Sequence, residues 1–442
     1  MESKRLAIFS PLASVGFLTA ISLLNVIILP GFIITQMGAK SYGLWMVAIG
    51  ISSIVSFLDL GLANFMSTAS NQFSSNNMEG MIIDFFRRIS SNFIALITSI
   101  EATILAICVF SLIFSNPNQE KVTLLWLIIF MSLGSAIFTT ISIPLSKLRF
   151  IGYFAKSQRI LGYSKAGETI FCIALIACTK SLVLASIVSL IIKVLTFVTL
   201  NRSSRNLLPV EKYGQMVWNG RIRDVLTPLI GNLFSAGGNW MRNQGANLVF
   251  AHVFGLESAG AFGLLRTFAS GARQLMDPIL IAITPQLSES ILSEHFKNSK
   301  RLIKFVWSVF FLVTIFYVLL TLLFGDILIF LWSSLDPKSF IVLPIFLVVM
   351  QILDICFLIP LAIFMSINQH FRLSKVYFFS ALFSNFFALL FSLWFGLFGF
   401  ILGQLVFSFF AMPFALTKHV YFMRHFFEKT QFKDTSLNSS KK

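Results

Sequence analysis

Charged residues make up only 12% of this 442-residue chain, histidine occurs five times and cysteine four times. A chain with so little charge does not match the composition of a soluble domain. Cys108, Cys172, Cys178 and Cys356 all fall in apolar stretches, at spacings that suit neither a disulfide framework nor a metal site. His252, His295, His370, His419 and His425 are scattered over span ends and loops, and no HExxH or CxxC pattern accompanies them. External loops are short, the longest running over about 325–339, so no segment can fold as a separate catalytic domain. These absences argue against a metalloenzyme, a thiol oxidoreductase, and a polymerase or ligase built around a large loop. An enzyme is not expected, and no resident cofactor is expected beyond a coupling ion.

What is present is apolar sequence: 56% of residues are hydrophobic and mean hydropathy is +0.84. Crossing about 30 Å of hydrocarbon takes about 20 helical residues. Segments of that kind recur at 11–36, 43–70, 89–114, 122–146, 157–179 and 182–200, and again at 225–254, 258–285, 302–324, 340–367, 373–395 and 397–423. The first follows Lys4 and Arg5 but is far too long for a signal-peptide core, so it reads as a retained span.

A net charge of +16 would suggest nucleic acid in a soluble protein. Here its distribution is a topology signal. With the N-terminus inside, only Lys40, Lys121, Lys180 and Lys338 fall in external loops, which predicts that both termini are cytoplasmic and that the chain has no nucleic-acid partner. Its surroundings are membrane lipid.

The stretch 201–224 is basic, holds Pro209 and Gly214, and divides the chain nearly in half. A shift of 217 positions lays Pro11-Leu12 on Pro228-Leu229, Phe17 on Phe234, and GAKSYG at 38–43 on GLESAG at 255–260. An even number of helices per repeat makes the halves parallel repeats about an axis along the membrane normal. The expected architecture is an all-α integral membrane protein with twelve transmembrane helices in two six-helix lobes related by a pseudo-twofold. The lobes span 1–200 and 225–423, with a cytoplasmic linker at 201–224 and a basic cytoplasmic tail at 424–442.

Five bases, Lys165, Lys193, Arg242, Arg266 and Arg273, and five acids, Asp59, Glu101, Glu168, Asp277 and Asp354, lie within the spans. Each costs roughly 2.5–3.5 kcal/mol at mid-bilayer, so each must face protein or water. Two readings stand for each: an interhelical ion pair or snorkelling side chain, or the lining of a cavity.

Arg266, Arg273 and Asp277, spaced seven and four apart, share one helical stripe. Asp277 can pair with Arg273 one turn back, whereas Arg266 has no local acid. Asn232, Ser235, Asn239, Arg242 and Asn243 occupy one face of the seventh span, as a wet cavity or as helix glue. Ser14, Ser22 and Asn25 form a thinner equivalent on the first span, where Asn25 corresponds to Arg242. Lys193 shares a stripe with Ser186, Ser189 and Thr196 and has no acid beside it in sequence, while Lys165 and Glu168, three apart, pair locally. Glu101 and Asp354 are isolated acids near mid-depth, of the kind that carries a proton or holds Na⁺.

SYGLWM followed by FLDLGL across the second span, the G-x-x-S-x-G turn in each repeat and the six-plus-six division resemble the polysaccharide transporter family. These are the O-antigen-type flippases of lipid-linked oligosaccharides, within the multidrug/oligosaccharidyl-lipid/polysaccharide (MOP) exporter superfamily. The resemblance implies a V-shaped pair of lobes in a bacterial inner membrane, enclosing a cationic cavity, with alternating access driven by an H⁺ or Na⁺ gradient or the membrane potential. The cargo would be an undecaprenyl-diphosphate-linked oligosaccharide, and other polysaccharide assembly proteins would be partners. Arg242, Arg266, Arg273 and Lys193 would bind diphosphate. Asn25, Asn239 and Asn243 would bind sugar hydroxyls, and Asp59, Glu101, Asp354 and Asp277 would serve coupling or gating. Asp59 has an equal alternative as an ion-pair partner near the close helix contact at Gly61. A cation-coupled multidrug exporter of the same superfamily and a non-transporting membrane assembly partner are the competing readings.

Overall fold

The computed structural model describes residues 2–55, 97–108, 110–111, 118–150, 153–205, 222–293, 296–333 and 343–439. The elements in the first half are α1 (Glu2–Met37), α2 (Ala39–Ser52), α3 (Ile97–Cys108), α4 (Gln119–Phe150), α5 (Phe154–Thr179) and α6 (Leu182–Arg205). The second half holds α7 (Ile222–Trp240), a π-helical turn (Met241–Gly245), α8 (Ala246–Ala269), α9 (Gly271–Leu292), α10 (Phe296–Ser333), α11 (Leu343–Ser366) and α12 (Phe371–Ser439). No strand occurs among the described residues.

Eight of the described helical stretches are long and apolar enough to cross a membrane. Two of them, Thr227–Ala269 and Phe371–Arg424, are about twice that length, and each is broken at a glycine with positive φ, Gly255 at 83° and Gly396 at 56°. Glycine carries no Cβ to clash in that region, so the chain can turn sharply there. Beyond Gly396 it runs back on itself: Gly403 lies against Ala388 and Gly399 against the Phe391 carbonyl. Beyond Gly255, Phe262 stacks on Phe250 with ring centroids 4.0 Å apart. The two stretches therefore supply four spans. With α1, α4, α5, α6, α10 and α11, and with α2 and α3 lying in the second and third apolar segments, they account for twelve.

In the first half α1 packs on α5, α4 on α6 and α5 on α6; in the second, α7 and α11 pack on α12, and α10 and α11 on α9. Buried Ile33, Tyr42, Leu127, Cys172 and Ala185 anchor one core, and Phe250, Phe262, Met276, Ile355 and Phe400 another. The halves meet chiefly where α2 lies against α8.

That junction is reciprocal. A methyl group on Gly43 would overlap the Leu256 carbonyl, and one on Gly260 would overlap the Ala39 carbonyl. Both pairs are related by the 217-position shift. Gly38 and Gly255, which open the two turns, match in conformation as well, at φ 86° and 83°. The sequence echo is thus a structural one: two G-x-x-S-x-G turns clasp each other through missing side chains.

Candidate functional site

The polar face of α7 leads into the π turn at Met241–Gly245. A π turn lengthens the backbone register and leaves carbonyls to be satisfied by side chains, an arrangement frequent at functional sites. Met241 O accepts from Asn385 Nδ2 at 2.7 Å, and Arg242 O accepts from the Arg266 guanidinium. Gly245 makes room for the first contact, since a Cβ there would lie 2.9 Å from Asn385 Nδ2.

Arg242 is wholly buried. Its Nε donates to Asp354 Oδ1 and Oδ2 at 3.0 and 2.9 Å, and its Nη1 donates to Gln404 O and Oε1 at 2.9 and 2.8 Å. The guanidinium also lies 4.6 Å from the centroid of the Phe407 ring, and Gln404 Nε2 donates onward to Asn385 Oδ1 at 2.8 Å. Asp354, isolated in sequence, is therefore the counter-ion of Arg242, and the pair ties α11 and α12 to the π turn. Neither group lies on a solvent-accessible surface in this conformation.

The stripe of Arg266 and Arg273 packs onto the α7 face, although a turn at Ser270 separates α8 from α9 between them. Arg266 Nη1 donates to Asn247 Oδ1 at 3.3 Å and Nη2 to Asn243 Oδ1 at 3.5 Å. Among the described residues no ion pair includes Arg266. Arg273 Nη2 donates to Asn239 Oδ1 at 2.7 Å, and its Nε lies 3.5 Å from Asp277, the local pairing that the spacing predicts. Asn243 in turn donates to Asn239 Oδ1 at 2.6 Å. Asn239 is exposed and Asn243 half-buried, so this network runs from a dry end at Asp354 to a wet end at Asn239.

A second cluster lies in the first half. Glu168 on α5 is held by Lys165 at 2.9 Å, by Lys193 of α6 at 3.7 Å, and by the Ser189 hydroxyl. Lys193, with no acid near it in sequence, thus gains one across the helix pair. These residues border a cavity of about 370 Å³ that reaches Leu18 and Ser22 of α1 and Ser135 of α4. Asn25 lies outside its lining, buried, with Nδ2 donating to Thr169 Oγ1 at 2.5 Å; it joins α1 to α5.

Glu101 on α3 is buried. Its Oε1 accepts from Ser132 Oγ at 2.8 Å, while Oε2 is buried without a hydrogen-bond partner among the described residues. No ion pair includes it there. Asp59 lies outside the described residues. Those residues contain no group of His, Cys, Asp and Glu able to hold a metal ion, and the four cysteines are unpaired.

Asn247, Asn385, Gln404 and the Glu168–Lys193 contact do not emerge from single-helix periodicity. Asn385 and Gln404 do carry a signal, as the amide side chains in the mostly apolar runs FSNFFALL and FILGQLVF.

No family model and no curated protein matches the sequence. Solved structures do match the fold. An outward-facing multidrug resistance MATE family transporter of the MOP superfamily aligns with TM-score 0.68 at 14% identity, over 95% of this chain and 96% of that one. The MATE multidrug transporter DinF-BH gives 0.67 at 14% over 95% and 94%, and an inward-facing MATE transporter of the same superfamily gives 0.64 at 14% over 91% and 96%. The chain has the twelve-helix fold of the MATE transporters of the MOP superfamily.

Proposed function

We propose that the protein is a secondary exporter that works by alternating access in the bacterial inner membrane, both termini in the cytoplasm, with Glu101 as its coupling group. The observation that carries this reading is Glu101 itself, a buried carboxyl with one oxygen on Ser132, the other unpartnered, and no base beside it among the described residues. A buried carboxylate without a counter-ion is costly, so the site favours taking up H⁺ or Na⁺ whenever it closes to water. With both termini in the cytoplasm, the G-x-x-S-x-G turns fall on the external side, and their clasp then supports a closed external side in this conformation.

The multidrug transporters that share the fold favour an amphiphilic organic compound as cargo. A second cargo, an undecaprenyl-diphosphate-linked oligosaccharide of O-antigen type, is favoured by the base surplus: Lys165 and Lys193 share Glu168, and the side chains that hydrogen-bond Arg266 among the described residues are neutral. That cargo would bring polysaccharide assembly proteins as partners. Purified protein in vesicles, given an imposed H⁺ or Na⁺ gradient, should move either a cationic dye or a glycan diphosphate-lipid, and Glu101→Gln should abolish the response to the gradient. Movement of neither cargo under either gradient would overturn the exporter reading.

A further inference from the structure

The cavity among α1, α4, α5 and α6 holds two ammonium groups and one carboxylate, so it carries a surplus positive charge inside a membrane-embedded bundle. Its volume of about 370 Å³ is that of a small-ligand pocket. The two lysines are held unequally. Lys165 donates to Glu168 Oε2 at 2.9 Å, a hydrogen-bonded ion pair, whereas Lys193 Nζ stands 3.7 Å from Oε1, beyond hydrogen-bond reach. Oε1 is already taken by Ser189.

Lys193 also occupies space that another residue type at 134 would crowd, because a Cβ at Gly134 would lie 3.3 Å from both Cδ and Nζ. The hydroxyls of Ser22, Ser135, Ser164 and Thr196 and the apolar surfaces of Leu18 and Phe138 complete a lining that can hold a charged head and an apolar body.

We propose that this cavity is a binding site for a small organic anion, a phosphate monoester or carboxylate with an apolar substituent, and that Glu168 fills the anion's place when the site is empty. Without a ligand the carboxylate offsets one of the two half-buried ammonium charges. An arriving anion takes over Lys193 first, because that contact is the looser, while Glu168 keeps Lys165. A phosphate bearing two negative charges suits the two ammonium groups better than a single carboxylate does, since Lys binds phosphate as a compact point charge with three donors. The proposal concerns equilibrium binding and stands whether or not the chain exports anything.

The test uses the full chain in phosphatidylcholine nanodiscs, titrated with phenyl phosphate and, as the uncharged counterpart, phenol, with binding read by calorimetry. Wild type should bind phenyl phosphate and ignore phenol. Glu168→Gln, which removes the competing carboxylate and keeps the shape, should bind phenyl phosphate about tenfold more tightly. Lys193→Met should lose binding, and Gly134→Ala should weaken it by crowding the ammonium. A parallel titration in nanodiscs containing phosphatidic acid separates the sources of anion: a weakened response there means that a lipid phosphate occupies the site, and an unchanged one means that it takes water-soluble esters. Thermal unfolding of each variant establishes that it is folded before titration. Absence of binding in both wild type and a folded Glu168→Gln overturns the proposal. Binding that Lys193→Met leaves intact, or that Glu168→Gln weakens, also overturns it.

Discussion

Arg242 and Asp354 meet with Nε 2.9 Å from Oδ2, both side chains essentially inaccessible to solvent, and the same guanidinium reaches Gln404 through Nη1. A charge pair this dry stands or falls as a unit. Removing one member leaves the other buried and uncompensated, at a cost of about 3–5 kcal/mol, whereas replacing both by apolar residues of similar size can be close to neutral. Asp354→Leu and Arg242→Met should each lower the thermal midpoint in detergent sharply, and the double variant should recover most of the loss. An Asp354→Asn protein with an unchanged midpoint and a lost gradient response would instead make Asp354 a coupling group.

The clasp between α2 and α8 makes a second prediction. Neither Gly43 nor Gly260 can gain a side chain without displacing a carbonyl of the other turn. Gly43→Val and Gly260→Val should therefore hold the two turns apart. Spin labels at exposed Gln36 and Ser258 should report a short, narrow distance distribution in the parent and a longer, broader one in either variant. Identical distributions would mean that the contact is incidental. Because each glycine meets a carbonyl of the other turn equally closely, the variants should shift the distribution to a similar extent.

His370 lies between α11 and α12, buried, with its imidazole against the space that Gly231 leaves open. Burial pushes its pKa down from 6.5 to about 4. The folded chain keeps the ring neutral while the unfolded chain protonates it below about pH 6.5. Stability is therefore undiminished above that pH and falls as pH drops toward 4, by roughly 3 kcal/mol over the window. Thermal midpoints measured from pH 7.5 to 4 should decline, and His370→Gln should flatten that decline. A parallel decline in the variant would place the acid sensitivity elsewhere.

The helices were legible because membrane-spanning segments are long apolar runs, and the matching pair of turns was legible because glycine is required at positions 38, 43, 255 and 260. Local pairing was legible too, as in Arg273 with Asp277 and Lys165 with Glu168, since one helical turn sets those distances. What periodicity could not supply was the partner across a helix boundary. Asp354 lies 112 residues from Arg242, and a single helix shows which face is polar without showing what faces it. The seventh span and the stripe of Arg266 and Arg273 read as two separate polar faces. In the structure each is the other's partner, and the π turn that directs Arg242 away from them has no sequence signature.

Glu101 differs from the other described acids of the spans in having no base to neutralise it. Its hydrogen bond from Ser132 satisfies one oxygen, and Oε2 is left for a proton or a cation. Glutamine at 101 keeps an acceptor for Ser132 and nearly the same volume, so Glu101→Gln should fold with a thermal midpoint close to that of the parent. If the coupling reading holds, the variant should still bind cargo, and cargo movement in vesicles should become indifferent to an imposed H⁺ or Na⁺ gradient. Ser132→Ala removes only the orienting hydroxyl, so it should reduce the gradient response without abolishing it. A Glu101→Gln protein that transports with the full gradient dependence of the parent would make Glu101 a structural group, and the driving ion would then have to act at a residue other than this one.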